Sequence, residues 1–389
     1  MRRLIALLAV ALLLVACSQT GASQPTVPPV STSAATSTTV ASLAPTGTTV
    51  ANSAPTGTTA PAAGVRLVVM AHDSFSMSKD VLVAFEQIEG VTVEVIKGGD
   101  AGSALNQAIL SKGAPLADVF FGVDNTFLSR AVAADIFLPF ASPALADIPN
   151  DLKLDSNNSL LPIDYGYVAI NYDLAALTAA GLTPPTSLED LTKPAWRGKL
   201  VVENPATSSP GLAFLLATIA HFGEGPQHSW IDFWRDLRAN EVYVSQDWSD
   251  AYYTQFSGSS GKGPYPLVVS YSTSPAAEVF FSEGKLSKPP TGNLLIPGGV
   301  FRQIEFAGIL KGTKNEALAR RFIDFMLQPQ FQADIPLQMF VYPANPTAAL
   351  PEVFTKFAEV PAQPEGLTAS QIDQSRERWL KQWTEIVLR

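Results

Sequence analysis

Residues 67–121 read LVVMAHDSFSMSKDVLVAFEQIEGVTVEVIKGGDAGSALNQAILSKGAPLADVFF, and this stretch decides the fold. Leu67-Val68-Val69-Met70-Ala71 is a short apolar run of strand length. From Lys79 to Glu89 the spacing predicts a helix, with Val81, Leu82 and Phe85 on one face. Val91 to Ile96 alternates as a strand, Ser103 to Ser111 reads as a second helix, and Ala117-Asp118-Val119-Phe120-Phe121 as a third strand. Strands separated by helices imply a parallel α/β sheet, because each parallel pairing needs a crossover.

The alternation continues downstream with interruptions. Strands are expected at Leu161–Asn171, Leu200–Val202, Val242–Val244, Leu267–Tyr271 and Phe301–Leu310. Helices are expected at Gly211–Phe222, His228–Arg238, Glu316–Leu327, Gln330–Asp334 and Ala369–Leu388. From Val65 to Arg389 there are about 325 residues, more than one compact core usually serves, so two lobes are expected.

Ligands of open parallel sheets sit beyond the carboxyl ends of the strands. The loops there are His72-Asp73-Ser74, Gly98 to Ser103, Gly122-Val123-Asp124-Asn125, Asn204 to Gly211, Gln246 to Ser249, and Ser272-Thr273-Ser274-Pro275. All are small, polar or glycine-rich. Ser209-Pro210 and Ser274-Pro275 read as an N-cap serine with proline at the first helical position. For any one loop, a serine capping its own helix accounts for the pattern. Several such loops from both halves of one chain point to a shared site, and helix N-termini suit an anionic group.

The chain opens with Met1-Arg2-Arg3 followed by an apolar run from Leu4 to Ala16, the layout of an export signal. That run is shorter than the ~20 apolar residues that span a bilayer. Leu14-Val15-Ala16-Cys17 resembles the bacterial lipobox. The resemblance implies that residues 1–17 are a lipoprotein signal peptide and that Cys17 carries a lipid anchoring the chain to the membrane. Cys17 is the only cysteine, so no intrachain disulfide is expected. Residues 18–64 carry no charge and repeat Ala-Pro-Thr-Gly-Thr-Thr at Ala44 and Ala54. Such a segment has too little apolar bulk to offset its ordering entropy, and it is expected to be a disordered tether. Its 47 residues would reach on the order of 40 Å. Removing the charges of Arg2 and Arg3 from the formal −9 leaves −11 on the remainder. An acidic body argues against nucleic acid and is compatible with a cationic ligand.

The chain resembles the periplasmic-type solute-binding proteins of ABC importers. Pro185-Thr186-Ser187-Leu188-Glu189-Asp190-Leu191, with Pro194-Ala195-Trp196-Arg197-Gly198-Lys199, matches one family segment. Ala317 to Met326, then Pro329 and Phe331-Gln332, matches the C-terminal helix. The resemblance implies an α/β, two-lobed type II periplasmic-binding-protein fold. Each lobe is then a mixed sheet flanked by helices, with the ligand cleft between them. Lobe 1 is expected at 65–164 and 300–389, and lobe 2 at 165–299.

Within that superfamily the chain is similar to thiamine-binding proteins. Seven pieces carry the likeness in order: Asp73-Ser74-Phe75, Gly122 to Asn125, Asp164-Tyr165-Gly166-Tyr167, Thr207 to Leu212, Trp248 to Tyr252, Ser270 to Ala276, and Tyr342-Pro343. Carried over, the resemblance places Gly99, Asp100, Ser208, Ser209, Trp248, Tyr271, Ser272, Thr273 and Ser274 at ligand-binding positions. His72, Asp73, Asp164 and Phe340 are further candidates. Trp248 and Tyr271 can supply aromatic faces to a flat cation. Asp100 or Asp73 can compensate positive charge, and the serine hydroxyls can hold a phosphate. The plain alternative for Trp248 is a core aromatic at a helix start. Three positions depart from the likeness. His72 and Phe340 stand where a tyrosine and a tryptophan are expected, and the tryptophan expected shortly after Phe75 is absent. Ser257 to Pro266 reads as a Gly/Ser-rich insertion near the cleft rim.

The resemblance thus implies capture of thiamine or a thiamine phosphate and delivery to an ABC permease, by a monomer without cofactor or resident metal. A ferric-ion binder shares the fold, and Tyr252-Tyr253 and Tyr165/Tyr167 leave that reading open, as they do a polyamine or phosphonate binder. An exported hydrolase is the alternative of another class. The three histidines His72, His221 and His228 form no HExxH, and no GxSxG elbow occurs.

Overall fold

The structure is a computed structural model that describes residues 64–258 and 262–389. The expected signal peptide, Cys17 and nearly all of the tether lie outside the described residues.

The first elements are β1 (Arg66–Ala71), α1 (Lys79–Glu89), β2 (Thr92–Lys97), α2 (Ala101–Leu110) and β3 (Val119–Asp124). β1 pairs parallel with both β2 and β3. Ser78 starts α1 by accepting from the Val81 N–H. Gly90 ends it at φ 66°, a left-handed conformation that costs little without a Cβ. Next come α3 (Leu128–Ala133), β4 (Phe137–Leu138) and the long β5 (Leu161–Asp173). The middle of the chain adds α4 (Leu174–Ala179), β6 (Leu200–Glu203), α5 (Ser209–Phe222), α6 (Trp230–Ala239), β7 (Tyr243–Ser245), β8 (Leu267–Tyr271), α7 (Ser274–Phe281) and β9 (Thr291–Leu294). The last part runs β10 (Phe301–Leu310), α8 (Glu316–Leu327), α9 (Pro329–Gln338), β11 (Tyr342–Pro343), α10 (Glu352–Phe357) and α11 (Ala369–Val387).

The strands lie in the order β2-β1-β3-β10-β5-β8-β6-β7. The expected parallel pairing holds within β2-β1-β3 and within β8-β6-β7. It fails at the junction, where β10 is antiparallel to β3 and β5, and β5 is antiparallel to β8. The physical reason lies in the route of the chain. β5 carries it from the first parallel set to the second, and β10 carries it back, so neither strand needs a crossover helix. β5 pairs with β10 over Leu161–Val168 and with β8 over Val168–Tyr172. The fold is therefore α/β and two-lobed, each lobe a mixed sheet flanked by helices, with a cleft between the lobes.

Helix α5 is buried from Ser209 through Ile219, consistent with its nearly continuous apolar sequence. β10 is buried along almost its whole length. Its Phe306 is fully buried in the central layer. Phe306→Ala is expected to cost ~3–5 kcal/mol through a cavity that the paired strands cannot collapse into. Urea unfolding checks this, with the midpoint falling and the slope unchanged.

Candidate functional site

A cavity of about 580 Å³ lies where the strand ends of both lobes meet. Five of the six predicted loops reach its wall: His72 to Ser74, Asp100-Ala101, Ser209-Pro210, Trp248-Ser249 and Thr273-Ser274. The Gly122–Asn125 loop does not reach it, but Asp124 from that loop accepts a hydrogen bond from Ser209 Oγ. Tyr252 and Tyr271, Glu278 and Phe281 of α7, Gln303 and Glu305 of β10, and residues 338–341 also line it.

Asp100 is the N-cap of α2. One carboxylate oxygen accepts from the Ala101 N–H at 2.9 Å, the other from the Trp248 N–H at 3.2 Å. The Gly99 N–H donates to the exposed Asp73 (3.1 Å), and Gly99 itself is set back from the wall. Trp248 is half-buried, and its indole N–H donates to Ser270 Oγ at 2.9 Å. Its ring stacks on Tyr252 (centroids 5.1 Å apart, planes at 14°) and meets Tyr271 edge-on at 6.3 Å. Trp248 therefore belongs to a half-open aromatic wall rather than to the core. Tyr271 donates its hydroxyl to Gln303 at 2.8 Å.

The two Ser-Pro pairs are placed differently from the sequence reading. Ser209 and Ser274 are the first helical residues of α5 and α7, and the N-caps are Ser208 and Thr273. Each proline thus sits at the second helical position. The reason is that both serine hydroxyls bond elsewhere: Ser209 donates to Asp124, and Ser274 Oγ lies 3.0 Å from Ser270 Oγ. Ser208 and Ser272 are fully buried and, unlike Thr273 and Ser274, are not on the wall. Thr273 Oγ1 donates to the Phe340 carbonyl. Phe340 lines the cavity and stacks on Phe354 at 5.7 Å. Tyr165 and Tyr167 lie off the cavity, clustered with Tyr342.

Sequence reasoning did not select Glu278, Gln303 or Glu305 as binding candidates, and it named Tyr252 only under the ferric-ion alternative. Gln303 and Glu305 carried a readable signal, two polar residues at period two inside an apolar strand. Glu278 carried none, since it reaches the wall only because α7 is docked there. Its carboxylate accepts from Tyr252 OH at 2.7 Å and from Thr291 Oγ1.

Contacts between loops on opposite sides of the cleft include Trp248 N–H to Asp100, Ser209 to Asp124, and the Gly102 N–H to the Thr207 carbonyl at 3.0 Å. A Cβ on Gly102 would lie 2.8 Å from Thr207 O and 2.8 Å from the Phe127 ring, so only glycine lets the backbones approach this closely.

Carboxylates dominate the electrostatics. His72 Nε2 lies 3.1 Å from Glu305 Oε1, with both side chains buried. Burial lowers the imidazole pKa, but the carboxylate outweighs it and raises the pKa overall. Burial likewise acts to raise Glu305, and the His72 charge outweighs it and holds that carboxyl below its ordinary value. Asp164, opposite Glu305 in the strand register, is pushed well above the carboxylate range by burial and by the Glu305 charge. Burial also raises Asp100 and Glu278. It pushes Asp124 up to about 6, against the lowering effect of hydrogen bonds from Ser209 and Thr126.

Two lobes hinged on a pair of long strands, with a cleft walled by loops from both, define a two-lobed binding protein of the type II periplasmic architecture. The chain belongs to the bacterial extracellular solute-binding protein family, whose model matches residues 114–373. It is a binding protein that works outside the cytoplasm, not an enzyme. The thiamine-binding periplasmic protein of Salmonella typhimurium is 32% identical over 329 residues, 83% of this chain and 94% of that one. A solved periplasmic thiamin binding protein superposes with a TM-score of 0.73 at 29% identity, covering 83% of this chain and 96% of that one. Iron-bound HitA from Pseudomonas aeruginosa shares the fold, with a TM-score of 0.66 at 20% identity over 83% of this chain and 99% of that one.

Asp124 offers a test of the buried charge. Its folded carboxyl holds a proton up to about pH 6, whereas the ordinary value is 3.8. Between those values the folded state binds more protons than the unfolded one, so this group's contribution to stability falls as pH rises through the window. The loss amounts to ~3 kcal/mol by pH 7. Asp124→Asn removes the titration. Thermal denaturation is expected to show the variant gaining on the wild type between about pH 4 and pH 7.

Proposed function

We propose that this protein captures thiamine, or a phosphate ester of it, and delivers it to the permease of an ABC importer. The observation that carries this reading is the wall in which Trp248, stacked on Tyr252 and edge-on to Tyr271, donates its backbone N–H to Asp100. Thiamine joins a cationic thiazolium to an aminopyrimidine. Aromatic faces attract a desolvated cation by up to ~2 kcal/mol. A neighbouring carboxylate compensates its charge or accepts from the amino group.

Trp248 and Tyr271 are assigned the aromatic contacts, and Asp100 and Asp73 the charge compensation. Thr273, Ser274 and Ser209 supply polar edges. Gly99, Ser208 and Ser272 act one layer back, by holding the loops that carry those groups. His72 and Phe340 replace aromatic contacts expected in thiamine binders, and Asp164 supports His72 through Glu305. The lobes are taken as 65–164 with 300–389, and 165–299. The lobes open to admit the ligand and hinge about β5 and β10, and contacts such as Trp248 N–H to Asp100 and Ser209 to Asp124 then hold them closed. The protein acts as a monomer, held to the membrane by lipid on Cys17, with residues 18–64 as its tether.

A ferric ion would require tyrosinate ligands. Burial holds Tyr252 and Tyr271 above the ordinary tyrosine value, which disfavours that role. Among the described residues no group of three His, Cys, Asp or Glu side chains is arranged to hold a metal ion.

Trp248→Ala is expected to weaken thiamine binding about tenfold or more while leaving the thermal midpoint unchanged. Calorimetry of the full chain in detergent against thiamine, ferric ion and spermidine checks it. An unchanged dissociation constant for thiamine, or binding of ferric ion alone, would sink the assignment. Cys17→Ser is expected to shift the exported protein from the membrane fraction to the soluble one, read by fractionation and immunoblot.

A further inference from the structure

We infer that Arg376 of α11 holds the unliganded protein open, and so sets ligand affinity without touching the ligand. Arg376 lies off the cavity wall, on a helix that packs against both lobes. This rests on the closure proposed above and names the residue that works against it.

The first observation is the course of α11. It packs on α6 of one lobe and on α3 of the other. On the α6 side Trp383 is fully buried and meets Trp234 edge-on at 5.5 Å. Trp379 Nε1 and Arg378 Nη2 both donate to Glu224, at 2.8 and 3.1 Å. On the α3 side the Arg376 guanidinium lies over the Phe127 ring, 4.7 Å from its centroid. Phe127 follows Asp124 in the loop after β3, and its ring crowds the place where a Cβ on Gly102 would fall. Through that ring Arg376 backs the contacts of Gly102 with Thr207 and of Asp124 with Ser209.

The second observation is that Arg376 lacks partners there. It is buried, yet Nε and Nη2 have no hydrogen-bond acceptor, and Nη1 donates to the exposed Glu377. The Phe127 face attracts the cation but fills none of its donors. A buried donor without a partner loses the hydrogen bonds that water gave it, and a charged group loses most. Burial holds the guanidinium below its ordinary pKa, and Glu377 and Asp124 do not offset it. The acceptor that would relieve Arg376 is near but taken. Asp124 accepts from Thr126 on one oxygen and from Ser209 on the other. Parting the lobes withdraws Ser209, which lies on α5, and frees that oxygen for Arg376. It also uncovers the Phe127 ring, so that water reaches the remaining donor. The open form satisfies an arginine that the closed form leaves short, and ligand binding has to supply the difference.

The test is calorimetry of thiamine binding to the full chain in detergent, for the wild type, Arg376→Met and Arg376→Lys, with amide hydrogen exchange on the same chains without ligand. Arg376→Met keeps an aliphatic stem against Phe127 and removes the donors. It is expected to bind thiamine about fivefold tighter, because more of the unliganded protein is already closed. Arg376→Lys, which keeps a buried charge, is expected to stay within about twofold of the wild type. The Gly102 N–H, bonded across the cleft to the Thr207 carbonyl, is expected to exchange about fivefold more slowly in Arg376→Met than in the wild type. Thiamine binding unchanged or weakened in Arg376→Met, or a lower thermal midpoint, would mark Arg376 as a support of the fold and overturn the inference. Equal tightening by Met and Lys would overturn the part played by the charge. The exchange at Gly102 needs no ligand, so it separates the two readings. If thiamine binds none of the chains, the functional reading falls, and this inference then stands or falls on whether Arg376→Met slows that exchange.

Discussion

Glu305 of β10 and Asp164 of β5 face one another in an antiparallel register, and both strands join the two parallel sets of the sheet. That pairing sets the geometry of the rest. Because side chains alternate along a strand, one register fixes which residues of β10 face the cavity. The observed register brings Gln303 to Tyr271 and Glu305 to His72. A slip of one residue would turn both away and bring apolar neighbours to the wall. The register shifts at Phe306 on both sides of β10, a bulge that adds local twist where the lobes diverge.

The same pairing concentrates acidic groups in a small volume. Asp164, Glu305, Asp124 and Glu203 are all buried. Not all of them can ionise together at modest cost. Burial and the Glu305 charge hold Asp164 well above its ordinary value, the His72 charge holds Glu305 below its own, and burial holds Glu203 well above its ordinary value. This layer sits behind the wall that carries Asp100 and Glu278. Stability is spent on maintaining these buried groups, as buried charges at binding sites commonly require.

Closure depends on a few polar contacts and one glycine. Asp100 serves three purposes at once: it caps α2, accepts from Trp248 across the cleft, and faces the ligand space. A ligand seated against Trp248 would stabilise the same contact that closes the lobes, so binding and closure are linked through one carboxylate. Gly102 permits the approach by leaving room for the Thr207 carbonyl.

Much of this was legible from residue order. The strand–helix alternation of residues 67–121, the glycine-rich loops and the Ser-Pro helix starts identified the fold class and five loops that wall the cavity. These are local signals: periodicity and turn chemistry act within a few residues, and a sequence displays them directly. The likeness in seven short pieces singled out Trp248 and Tyr271 for the same reason, and the glycine-rich loop after the second strand singled out Asp100, since each lies in a recognisable local pattern. The antiparallel β5 and β10, the engagement of Ser209 by Asp124, and the arrival of Glu278 at the wall were not legible. Each depends on which distant elements pack together, and that choice is made by burial of surface across the whole chain. The sequence by itself determined the α/β class, the loops that carry the site and the acidic character of the body. Only the tertiary structure decided which carboxylates meet in the cleft and which hydroxyls are left for a ligand, because pairing between residues a hundred positions apart is a property of packing and not of order along the chain.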